Sequence, residues 1–260
     1  MEVSADTTRA RAATYAVWRA EARAHDGGGF SEFDGLLCWS SGVPVRYWNG
    51  AFVTALPGRP DRALRRAERW FADRGMPYGV LLPVELEPMM AASAGAAGLR
   101  RAAEQRCMVL DAADLTAPAE RPTGLEVRRT GPANVEDFLA VQVEAFEAEP
   151  ASARRFLAPP VGRSGWTHLT GYLDGVPVVT AIGVRTSDAV GVYGVGTTVA
   201  TRRRGFGAAL TAAVLREGFA AGATFAHLDP SELGAGVYHR LGFREVPGFG
   251  IWLPTAGGLP

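Results

Sequence analysis

Apolar residues along the chain recur with a helical period in some stretches and an extended period in others, and the switches between them mark out the elements. From Thr7 to His25 an Ala- and Arg-rich run with Tyr15 and Trp18 three apart predicts a helix, which Gly27-Gly28-Gly29 ends. Phe33 to Trp39 and Tyr47 to Leu56 predict two strands around Ser41-Gly42-Val43-Pro44. Pro60 and Asp61 open a helix with Leu64, Ala67 and Phe71 apolar, closed by Gly75. Tyr78 to Val84 then predicts a strand, Leu86 to Ala97 a helix and Cys107 to Leu110 a strand.

A stretch without periodicity, Thr116 to Thr123 with Pro118 and Pro122, reads as a linker. Beyond it Leu125 to Arg129 predicts a strand, and Pro132 starts a helix whose stripe is Val135, Phe138, Leu139, Val141, Gln142 and Ala145. Glu144, Glu147 and Glu149 crowd the end of that helix, where the dipole disfavours them, and Pro150 begins a second short helix to Leu157. Trp166 to Leu173, the Asp174-Gly175 turn and Val176 to Arg185 predict a hairpin, and Ser187-Asp188 turns it into a third strand, Val190 to Val199. A helix over Phe206 to Ala221, a strand over Thr224 to Leu228, a helix over Leu233 to Leu241 and one or two strands over Phe243 to Trp252 close the chain. Strands alternating with helices make the fold class α/β (α+β), and 260 residues suit two modules, 1–115 and 125–260, about a linker at 116–124.

Charge changes this picture little. Twenty-seven basic residues balance 27 acidic ones, so no global field favours nucleic acid or an anionic membrane surface. All the basic residues other than His are Arg, beside scarce Ile and Asn, which is the mark of GC-rich, bacterial-type coding and makes arginine abundance weak functional evidence. Cys38 and Cys107 fit no metal-ligand spacing. With no apolar leader or membrane-length run, the expectation is a reduced, soluble, cytoplasmic protein without a metal.

The chemistry concentrates in Thr197 to Ala208, where a β-branched run passes through Arg202-Arg203-Arg204-Gly205 into a helix. The start of a helix has unpaired N–H groups and a partial positive charge, which three arginines oppose. An anion with several oxygens removes the conflict by accepting from the N–H groups and pairing with the guanidinium forks, and a pyrophosphate fits. Arg202-x-x-Gly205-x-Gly207 between strand and helix resembles the acyl-CoA signature of the GNAT superfamily of N-acyltransferases. A second stretch adds to the resemblance: Leu228-Asp229-Pro230-Ser231, then Val237-Tyr238-His239-Arg240-Leu241-Gly242-Phe243. It is similar to the superfamily's strand followed by Asn, an Ala three residues on, and Leu-Tyr-x-x-x-Gly-Phe, with Ser231, Gly234, Val237 and Tyr238 in the Asn, Ala, Leu and Tyr places.

The resemblance implies two GNAT-like modules, each a mixed, mostly antiparallel sheet flanked by helices. The N-terminal one is degenerate, since Leu56 to Asp61 lacks the signature, its prolines remove donors and Asp61 repels phosphate. It implies acetyl-CoA as co-substrate, with the pyrophosphate on Arg202, Arg203, Arg204, Gly205, Phe206, Gly207 and Ala208, and the pantetheine beside Val195, Gly196 and Thr197. Ser231 reaches the cofactor through water, a backbone N–H near Val195 holds the oxyanion, and Tyr238 is the general acid toward the departing thiolate. The carboxylate that many members carry on the fourth strand falls on Gly191, so the base is open between Glu147, Glu149, His168 and a chain of waters. Glu144, Glu147 and Glu149 are also candidates for holding a cationic amine.

The function expected is acetyl-CoA-dependent N-acetylation of a small-molecule primary amine such as an antibiotic, polyamine, amino sugar or amino acid. A non-catalytic acyl-CoA sensor or scaffold is the alternative, and thiol-dependent transfer through Cys38 or Cys107 with His168 is a third reading. The partner expected is the amine, with neither nucleic acid nor membrane, and the closing strand Phe249 to Leu253 allows a homodimer.

Overall fold

The computed structural model describes residues 3–116 and 122–255. Most of the linker expected at 116–124 lies outside them. Helix α1 (Ala5–Ala24) starts on Ser4, whose hydroxyl accepts from the Thr7 N–H at 3.2 Å. Strands β1 (Gly29–Phe33) and β2 (Leu36–Ser40) form a hairpin on Asp34 and Gly35, whose φ values of 49° and 77° give a turn matched to strand twist. The single strand expected over Phe33 to Trp39 is therefore two, because apolar residues flank the Asp-Gly turn closely enough to hide it.

Strand β3 (Asn49–Val53) lies antiparallel to β2, and α2 (Pro60–Ala72) crosses to β4 (Gly79–Pro83), which lies parallel to β3. After α3 (Glu87–Ala96) comes β5 (Leu99–Asp111), longer than the expected Cys107 to Leu110 because its first half is mostly exposed and polar. The chain continues through β6 (Leu125–Arg129), α4 (Val135–Phe146), α5 (Pro150–Leu157), β7 (Trp166–Leu173) and β8 (Val176–Thr186). It ends with β9 (Ala189–Thr197), α6 (Phe206–Ala220), β10 (Phe225–Leu228), α7 (Ala235–Arg240) and β11 (Arg244–Pro254).

These elements form two compact units, and neither is one continuous stretch. The first holds the residues before Arg9, Trp18–Arg106 and those from Pro247 on; the second holds Arg9–Val17 and Cys107–Val246. In the first, the strand order is β1-β2-β3-β4-β11-β5; in the second it is β5-β10-β9-β8-β7-β6. A parallel pair stands in each, β3–β4 and β9–β10, with α2 and α6 as the crossovers. Beyond that pair each sheet is extended by a strand from the other end of the sequence. β11 pairs with β4 from Phe249↔Pro83 to Trp252↔Val80, and β5 pairs with β10 from Phe225↔Asp111 to Leu228↔Met108. The physical division is thus an exchanged one. β11 has β4 on one side and β5 on the other.

Each crossover helix buries one stripe. In the first unit Ala63, Leu64, Ala67 and Phe71 of α2 pack with Leu36, Val53, Val80 and Leu82. In the second, Phe206, Leu210, Val214 and Leu215 of α6 pack with Val179, Ala181, Val190 and Val192, large side chains contributing roughly 1.5–3 kcal/mol each. Among the described residues no helix is long and apolar enough to cross a membrane.

Candidate active site

The second unit opens where its parallel pair ends. β9 and β10 run together from Ala189↔Phe225 to Val192↔Leu228, and β9 then continues through Tyr193–Thr197 without β10 beside it. β8 stays alongside, but with a shifted register: Thr180 faces Gly196 while Ile182 faces Tyr193, so β9 carries one extra residue near Gly194-Val195. Gly194 has φ 53°, and its carbonyl accepts from Gln142 Nε2 at 2.6 Å and from Thr180 Oγ1 at 3.2 Å. Gln142 also donates to Thr180 Oγ1 at 2.7 Å, so α4 pins the bulge. Gly196 lies under the last turn of α4, where a Cβ would stand 2.8 Å from Ala145 Cβ and from Phe146 Cε2.

From the end of β9 the chain makes a short 3-10 turn over Val199–Thr201 and reaches α6 through three exposed arginines. Arg203 (φ 62°) and Gly205 (φ 80°) are both left-handed; at Gly205 only a residue without Cβ takes this shape freely. α6 starts with no side-chain cap and no acidic residue in its first turn, which leaves its first N–H groups facing out of the helix end. The Arg202 guanidinium donates to the carbonyls of Thr197 (3.4 Å) and Ala145 (3.5 Å), and that of Arg204 lies 4.9 Å over the Phe206 ring. Glu144 accepts from the Val199 N–H at 2.8 Å. A Cβ on Gly207 would lie 3.6 Å from Val195 Cγ1 and 3.8 Å from Thr197 Oγ1. The structure thus gathers Val195, Gly196, Thr197 and the Arg202–Ala208 turn around one opening.

Tyr238 on α7 packs on the same core as Val195, with its ring edge-on to Phe243 at 5.9 Å. Burial pushes its hydroxyl up to about 12, so it holds its proton at neutral pH. Its hydroxyl makes no hydrogen bond among the described residues. Ser231 Oγ accepts from the Gly234 N–H at 3.2 Å, which turns the hydroxyl toward the start of α7.

The other candidates have varied surroundings. Glu147 is exposed at the left-handed end of α4 (φ 52°), next to Phe146. Glu149 caps α5, accepting from the N–H groups of Ala151 and Ser152, which hold its carboxyl below the usual range. His168 on β7 sits two strands from the opening, between Trp166 (6.0 Å, stacked) and Phe138 (5.4 Å, edge-on). Burial lowers its pKa to about 4. It borders a cavity of about 350 Å³ that also touches Arg185 and Val190, at the far end of β8 and β9 from Val195. Burial raises both thiols, Cys38 to about 12, the reverse of an activated nucleophile. Among the described residues no three of His, Cys, Asp and Glu stand together as a metal-binding group.

Residues 126–246 match the acetyltransferase (GNAT) domain. Within the second unit, this stretch is a GNAT domain. The whole chain is similar to a GCN5-related N-acetyltransferase from Kribbella flavida at 24% identity, covering 100% of this chain and 98% of that one with a TM-score of 0.75. It also resembles a GCN5-related N-acetyltransferase from Sphaerobacter thermophilus (18% identity, 97% and 93% covered, TM-score 0.66). A third similar structure is a tandem GNAT protein from the clavulanic acid biosynthesis pathway (20%, 86% and 79%, TM-score 0.58). These likenesses concern the fold. No curated protein sequence matches the chain.

Two residues shape the GNAT opening in ways the sequence does not state. Gln142 is legible there only as a polar residue inside an apolar stripe. Glu144, a candidate for holding a cationic amine, also accepts from the Val199 N–H in the turn that follows β9.

Proposed function

We propose that the GNAT domain transfers an acetyl group from acetyl-CoA to a primary amine of a small molecule. One observation carries this reading: β9 outruns β10 at the point where an uncapped helix start and three arginines meet. A diphosphate fits the first turn of α6, with Arg202, Arg203 and Arg204 around it and Gly205 and Gly207 below. The unpaired length of β9 suits an amide-bearing arm laid beside Val195, Gly196 and Thr197. Acetyl-CoA supplies an activated thioester carbonyl. The Val195 N–H, on the bulge, is the donor for charge that develops on the carbonyl oxygen. Tyr238 keeps its proton until a thiolate departs and then gives it up.

The first unit is read as scaffold without cofactor. A binder that performs no transfer is separated by the same experiment. Calorimetry with coenzyme A and thioester consumption over an amine panel are run on the wild type and Tyr238→Phe. Micromolar binding by both, with amine-dependent turnover that falls about 100-fold in Tyr238→Phe, is expected. Binding with no turnover for any amine supports the sensor reading, and no binding at all removes the acyl-CoA assignment.

A further inference from the structure

His227, in the middle of β10, is completely buried, and its Nε2 has no hydrogen-bond partner among the described residues. A buried polar atom left unpaired costs free energy that packing alone gives no reason to bear. The other ring nitrogen, Nδ1, shares a hydrogen bond of 3.3 Å with the Thr14 hydroxyl of α1. Across the parallel ladder His227 faces Gly191, and a Cβ on Gly191 would lie 2.9 Å from Nε2 and 2.6 Å from Tyr193 Cε2. The imidazole therefore fills the space that a side chain at 191 would take. The next pair, Val192↔Leu228, is the last before the strands part, so His227 lies one residue short of the point where β10 leaves β9. Tyr193, half-buried and edge-on at 6.1 Å, stands next along β9. His168 is buried with unpaired nitrogens too, but two strands away between aromatic rings.

Given the acyl transfer proposed above, on which this rests, we infer that His227 Nε2 takes the proton that the acceptor nitrogen sheds as it bonds to the acyl carbon, and that the acceptor is an amine of low basicity. The Thr14 hydroxyl accepts from Nδ1–H, which leaves the lone pair on Nε2. The nitrogen lone pair of the uncharged amine forms the new C–N bond, and its N–H electron pair stays on nitrogen as the proton moves to Nε2, directly or along one solvent molecule. The C–S bond breaks, sulfur keeps the electron pair and takes the Tyr238 proton, and the imidazolium proton returns to the tyrosinate. Amine and thioester have then become amide and thiol, with the protein unchanged.

Around the imidazole stand the Thr14 hydroxyl from α1, Tyr193 from β9 and Val109 from β5, with Asp229 two residues on along the chain. Burial, with no charged neighbour contributing, lowers the pKa of His227 to about 4. It is neutral through the physiological range and offers no anion to hold an alkylammonium. An arylamine or hydrazide, uncharged on arrival, suits a neutral proton acceptor better than a polyamine.

The test uses the full chain with acetyl-CoA and two acceptors, 4-methylaniline and cadaverine. His227→Phe keeps the ring volume and loses both nitrogens; His227→Ala leaves room for added imidazoles. Expected are faster turnover of the arylamine by wild type, coenzyme A affinity unchanged in both variants, and kcat reduced about 100-fold. Substituted imidazoles restore His227→Ala in the order of their basicity, which a packing role would not produce. Equal kcat in wild type and His227→Phe, a loss that no imidazole restores, or preference for cadaverine overturns the inference while leaving the acyltransferase reading in place. Thioester untouched by wild type with either amine overturns that reading and this one together.

Discussion

The two crossovers, β3–α2–β4 and β9–α6–β10, have the same wiring and opposite endings. β3 holds an unbroken register with β2 from Leu36↔Val53 to Ser40↔Asn49, and keeps β4 beside it to Phe52↔Leu81, one residue before β3 ends. β9 has a bulge on one side and loses its partner on the other. α2 begins on Arg59 with Pro60 in its first turn and Asp61 paired with Arg65; α6 begins on Gly205 with neither cap nor acid. A cavity of about 710 Å³ in the first unit runs along α2 by Ser31 and Phe33, lined by Arg59, Arg62, Arg66 and Arg69. On the function proposed above, a β-α-β unit serves as scaffold when its ladder stays closed and its helix start is satisfied from within. It becomes a receptor when both are left open.

Acid gives the largest expected contrast between the units. His168 and His227 both lie in the second, and burial lowers both from 6.5 to about 4. For a base with a lowered folded pKa, the unfolded chain binds more protons between the two values. The stability is then complete above about pH 6.5 and falls as pH drops toward 4, by at most roughly 3 kcal/mol per histidine. Hydrogen exchange at pH 7, 5.5 and 4.5 is expected to release amides of β7–β10 before those of β2–β4, and the reverse order breaks the contrast.

Next comes the helix start. Gly205→Val forces a branched side chain into φ 80°, a strain of about 1–3 kcal/mol, and coenzyme A affinity is expected to fall roughly tenfold to a hundredfold by calorimetry. Gly58→Val, with nothing within 4 Å of its Cβ, leaves the affinity unchanged. The smallest effect separates arginines of the two helices: Arg202→Gln weakens coenzyme A binding about fivefold, less so in high salt, while Arg62→Gln has no effect. Equal losses would place phosphate recognition on both helices.

What the sequence revealed was local. The Asp174-Gly175 hairpin and α6 are stated by turn chemistry and by a 3.6 period within a dozen residues, and the arginine turn is a contiguous string. The exchange of β5 and β11 was hidden because a strand's own pattern does not name its neighbour, and the exposed half of β5 carries no apolar alternation. The two buried histidines on strands show the same limit. The sequence singles out His168 and not His227, since only the register of β10 against β9 sets one of them a residue short of where the strands part and leaves the other between rings.

Because β11 belongs to the sheet of the first unit, β1 to β4 are synthesised well before the strand that completes their sheet. Until Phe249–Trp252 arrive, β4 has an uncovered rim of hydrogen-bonding groups, so nascent chains stalled after the GNAT domain are expected to be the form most prone to sticking to one another.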